Sequence, residues 1–142
     1  MKYFTFLFIV LSSFVNSFSL YGQLSSTAEL FREDYPDGYS LIRDNAINEW
    51  HHDSVMIVYT INRESQSFLE IMNNLEIAID EPNIFLYTVI LNSCIEWGNG
   101  VDFEHFDAAI RSEDIFKSMF ELDCKWSMVL YSINKKMATV DY

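Results

Sequence analysis

Chain breakers are scarce in this sequence of 142 residues, which has four glycines and two prolines. They gather in three places: Gly22, the stretch Asp34-Tyr35-Pro36-Asp37-Gly38, and the pair formed by Asp80-Glu81-Pro82-Asn83 and Gly98-Asn99-Gly100. Between Gly38 and Pro82, and again after Gly100, more than forty residues pass without either breaker. A sandwich or barrel needs turn residues every ~8–12 positions, so this spacing speaks against an all-β chain. Positive charge is also short, with 9 Lys and Arg against 21 Asp and Glu, a formal charge of −12. That balance argues against nucleic acid and anionic membrane surfaces as partners. Phosphate-cradling glycine loops, a nucleophile elbow and a calcium loop of alternating oxygen ligands are absent, so no catalytic residue and no cofactor is assigned.

What the chain does have is apolar mass, 50% hydrophobic and 16% aromatic residues, enough for one core and too much for a disordered chain. Part of it lies in a leader. Residues 1–22 carry one early charge (Lys2), an apolar run from Phe4 to Leu11, and then Ser12, Ser13, Asn16, Ser17 and Ser19. This three-part layout predicts a secretory signal, cut after Gly22 or, with similar chemistry, after Ser17 or Ser19. The run is broken too early for the ~20 apolar residues of a bilayer span, so no stable membrane insertion is expected after cleavage. Removing Lys2 takes the charge to −13 on an exported chain, periplasmic or secreted, with residues 23–142 as a single domain.

Periodicity predicts helices in that domain. Val58, Ile61, Ser65, Phe68, Met72, Leu75 and Ile79 step by three and four, with Arg63, Glu64, Gln66, Glu70, Asn73 and Asn74 on the other faces. A long helix starting near Asp53-Ser54 follows, with others at 26–34, 39–51, 83–97, 102–111 and 113–137, the last broken near Cys124. The expected fold is all-α, with five or six helices. Segments 54–61 and 126–133 are rich in β-branched and aromatic residues, so the alternative is α+β with a short two-stranded element made from them. These segments also echo one another: Met56 to Arg63 matches Met128 to Lys135 at an offset of 72. Asn45 to Trp50 matches Asn92 to Trp97 at an offset of 47. Two different offsets exclude a regular solenoid and suggest an internal duplication in which a Trp-ended helix and a Met/Tyr/Ile helix form one packing unit. Trp50, Trp97 and Trp126 are then expected at equivalent core corners, each indole N–H turned to a partner.

Chemistry-bearing residues are few. Glu49 with His52, and Asp102 with His105, have the i, i+3 spacing that places a carboxylate and an imidazole on one helix face. Used twice with two further glutamates, this arrangement binds metal in four-helix carboxylate bundles. A metal-dependent enzyme or metal-binding bundle using Glu49, His52, Asp102 and His105 is therefore the rival reading; helix ends where Asp102 caps are the plain one. Cys94 and Cys124 form an even pair, either buried thiols or a disulfide in an oxidising compartment. The leading functional expectation is a non-enzymatic exported protein whose acidic surface meets a basic protein partner. One version is an inhibitor or immunity-type protein masking a cationic toxin or hydrolase. A third reading is a cell-envelope part with homo-oligomeric contacts.

Overall fold

A computed structural model describes residues 22–140 of the chain, and the predicted signal sequence falls almost wholly outside them. Seven helices make up the described residues: α1 Ser26–Asp34, α2 Pro36–Trp50, α3 Ser54–Asp80, α4 Ile84–Trp97, α5 Phe103–Ile110, α6 Ile115–Phe120 and α7 Trp126–Ala138. The fold is all-α. Five of these helices begin where a short polar side chain accepts an otherwise unpaired backbone N–H: Ser25, Asp53, Asn83, Asp102 and Asp114. The second helix starts earlier than residue 39 because Pro36 stands in its first turn, where its fixed φ is already helical.

The 27 residues of α3, about 40 Å long, form the axis. Both α1 and α2 pack on it and on each other; α4 and α7 do the same, while α5 packs on α4 and α6. Having partners on more than one side widens its buried stripe beyond the expected face. Glu64, assigned by periodicity to a polar face, is buried, whereas Ile79 is 43% exposed. An aromatic cluster fills the space beside α3. Phe68 lies 5.0 Å from both Phe120 and Trp126, and Phe31 sits 5.8 Å from Phe68 and Phe120. Gly38 lets α2 approach this cluster, since a Cβ there would stand 3.2 Å from Phe31 and 3.3 Å from Phe120. No helix among the described residues is long and apolar enough to cross a membrane.

The two-stranded alternative is overturned: residues 54–61 open α3, and 126–133 lie in α7. Strand propensity loses to the Asp53 cap and to burial at Thr60, Ile61, Glu64, Ser65 and Phe68, a three-and-four spacing. The helix count exceeds the expected five or six because segment 113–137 divides at residues 121–125, where Asp123 takes a left-handed φ of 47°.

Both sequence echoes fall on helix pairs. The first copies lie on α2 and α3, the second on α4 and α7, and these are the two most extensively packed pairs in the fold. Tyr59 and Tyr131 are exposed at matching positions, while Thr60 with Ser132 and Ile61 with Ile133 are buried. The unequal offsets have a simple origin. Residues 51–53 join α2 to α3, but residues 98–125, carrying α5 and α6, join α4 to α7. The tryptophans do not share one role: Trp126 is core, Trp50 donates its indole N–H to Thr60 Oγ1 at 2.9 Å, and Trp97 is 36% exposed.

Candidate functional site

The proposed metal ligands do not assemble. Among the described residues no three His, Cys, Asp or Glu side chains gather closely enough to hold a metal ion. Glu49 and His52 never share a helix face, because α2 ends at Trp50 and His51 leaves it with φ 51°. Glu49 instead pairs with Lys125 Nζ at 3.8 Å. Asp102 is the N-cap of α5, its Oδ1 accepting the backbone N–H of His105 at 2.9 Å and facing His105 Nδ1 at 2.7 Å. Those bonds, the backbone one foremost, hold the Asp102 carboxyl below the usual carboxylate range. The helix that Asp102 opens and that bears His105 packs on α4 and α6.

The two cysteines, by contrast, come together. Both are buried thiols, and Cys124 Sγ lies 3.7 Å from the Cys94 carbonyl oxygen.

A groove runs between α2 and the α6–α7 region. One cleft of about 430 Å³ runs between Leu41, Ala46 and Glu49 on α2 and Phe120, Lys125 and Trp126 opposite. A second, of about 350 Å³, is lined by Tyr35, Gly38, Phe68 and Phe116. Leu41 and Phe120 line both, so the clefts adjoin. The floor is aromatic and the rim is acidic. Asp34, Asp37, Asp114 and Glu121 line one end with a single lysine, Lys117; Glu49, Glu96 and Asp123 line the other with Lys125, and the buried Glu64 lies at its wall. Tyr35 stacks on Phe116, their rings 5.2 Å apart and 4° from parallel. Burial, with Asp34 and Asp114 nearby, pushes the Tyr35 phenol above its ordinary pKa.

Two polar devices hold the walls. Glu64 reaches from α3 to accept the backbone N–H of Ser127 at 3.1 Å, placing a carboxylate at the positive end of α7, whose own N-cap residue, Lys125, makes no side-chain cap bond. Arg63 Nη2 contacts its other oxygen at 3.4 Å. Between α4 and α7, Ser132 Oγ donates to Glu96 Oε2 at 3.0 Å and Lys136 Nζ donates to the same oxygen at 2.9 Å and to the buried Ser93 Oγ at 3.3 Å. These donors, Lys136 first, hold the Glu96 carboxyl below its ordinary range. Ser93 is wholly enclosed, so this network joins helices and presents no nucleophile.

Comparison with protein-family models, curated proteins and solved structures finds no match to this chain. The groove residues were present in the sequence as turn acids and core aromatics. Asp114 caps α6, its side chain accepting the Lys117 N–H. What places Asp34 and Asp114 at one groove end is the packing of Tyr35 on Phe116, a contact between residues 81 positions apart.

Proposed function

We propose that this protein is an exported acidic binding protein that takes a basic, amphipathic segment of a partner protein into the groove between α2 and the α6–α7 region. The observation that carries the reading is the pairing of an aromatic floor with an acidic rim in each cleft, four carboxylates to one lysine in the smaller and Glu49, Glu96 and Asp123 to Lys125 in the larger. An apolar floor accepts the hydrophobic face of a helix, and a rim of one sign steers and orients a segment of the other. The α2 wall from Asp37 to Glu49 rises about 18 Å, the length of roughly three helical turns. Export rests on the leader, and an inhibitor or immunity-type role against a cationic toxin or hydrolase is one form this binding takes.

The test is calorimetric titration at low salt with a synthetic helical peptide of alternating Lys and Leu faces, beside a lysine-rich peptide of equal charge lacking an apolar face. The reading predicts saturable binding of the first, stronger than of the second and weakened by salt. Equal binding of both peptides, or none, contradicts it.

A further inference from the structure

Cys94 sits in the last turn of α4, and Cys124 stands two residues before α7, thirty positions later. The backbone draws them together. Gly98 and Cys124 form an antiparallel bridge, the Lys125 N–H donates to the Trp97 carbonyl at 3.1 Å, and Cys124 Sγ lies 3.7 Å from the Cys94 carbonyl oxygen. Cys94 is fully enclosed and Cys124 nearly so. The groove chemistry needs a thiol from neither.

We infer that Cys94 and Cys124 are joined in an intramolecular disulfide when the chain folds in the presence of a disulfide oxidant. The natural supply of that oxidant rests on the export reading. The exchange balances with a glutathione disulfide. One cysteine thiolate attacks a glutathione sulfur, giving a protein–glutathione mixed disulfide and one glutathione thiolate. The second cysteine thiolate then attacks the protein sulfur of that mixed disulfide and expels the other glutathione. Two protein thiols lose two electrons and two protons; one glutathione disulfide is reduced to two thiols.

Folding sets the order of events. The contact with Cys124 and burial push the Cys94 thiol far above its ordinary pKa, and with both sulfurs buried in the folded chain the pair exchanges slowly. The bond therefore forms before burial is complete and is shielded from reductant afterwards. Once made, it closes the loop that carries α5 and α6 and fastens one wall of the groove, since Cys124, Trp97 and Gly98 line the larger cleft.

The experiment is refolding of the denatured, reduced protein in a glutathione redox buffer, followed by alkylation in denaturant and mass measurement. Expected is a monomer lighter by two hydrogens, without glutathione adducts or alkylatable thiols, and with a Tm raised by about 10 °C over the reduced protein. The Cys94→Ala, Cys124→Ala double variant should show no effect of glutathione on its Tm. Two alkylatable thiols, a retained glutathione adduct, or a Tm that the bond lowers or leaves unchanged overturns the inference, as does an equal glutathione effect on the double variant. Because the buffer supplies the oxidant, these outcomes are independent of export, which fractionation of the producing cell tests separately.

Discussion

Gly98 and His51 show how single residues end α4 and α2. Gly98 ends α4 in extended backbone, and a Cβ there would fall 2.6 Å from the Cys94 carbonyl oxygen and 2.3 Å from Val101 Cγ2. The first obstacle is backbone and cannot swing aside. Gly98→Ala is predicted to cost about 2 kcal/mol, read as a lower urea midpoint at unchanged slope. His51 has the opposite problem, a side chain at φ 51° and ψ −94°, where L residues are strained. His51→Gly should therefore stabilise the fold by about 1 kcal/mol in the same assay. Tyr35 supplies a pH signature. Its phenol has a raised pKa in the folded state, so near pH 10 and above the unfolded chain ionises first and stability falls as pH rises. Tyr35→Phe should flatten that alkaline slope in a series of thermal melts. Gly98 ends the helix without a left-handed conformation, since among residues 98–100 only Gly100 has a positive φ, at 74°. The need for glycine at Gly98 comes from the close approach of the Cys94 carbonyl and Val101, which tertiary packing sets.

Helices were the most legible level. Caps of Ser, Asp and Asn followed by three-and-four spacing locate five of the seven starts within two residues. The division at residues 121–125 also falls where a break was expected near Cys124. Legibility fails where a helix has several neighbours. Nothing local distinguishes Glu64 from Arg63 or Glu70, yet α7 approaches α3 there and needs an acceptor for Ser127. Glu64→Ala removes both the acceptor and the negative charge at a helix N-terminus and is predicted to cost about 2 kcal/mol. Glu64→Gln keeps the acceptor and should cost less than half as much, a difference measurable by denaturant unfolding. The proposed metal ligands fail for a related reason. Spacing of i, i+3 implies a shared face only inside one helix, and Trp50 is the last residue of α2.

At the scale of the whole molecule, acidity becomes a located property. The sequence carries a −12 charge without saying where it acts, and the fold places eight of those carboxylates along two adjoining clefts over Phe68, Phe116, Phe120 and Trp126. Neutralising Asp37 and Glu121 as Asp37→Asn, Glu121→Gln should weaken binding of an amphipathic Lys/Leu peptide about tenfold at low salt. Glu70→Gln, Asp80→Asn changes net charge equally outside the groove and should have little effect. The most direct measurement of the central claim is a nitrogen-15 chemical-shift map of the protein titrated with that peptide. The account predicts shifts concentrated at Gly38, Leu41 and Ala46 on α2, at Phe116 and Phe120, and at the Trp97 and Trp126 indoles. Shifts gathered on the exposed face of α4 around Ile84 and Phe85, with the groove unmoved, would contradict it.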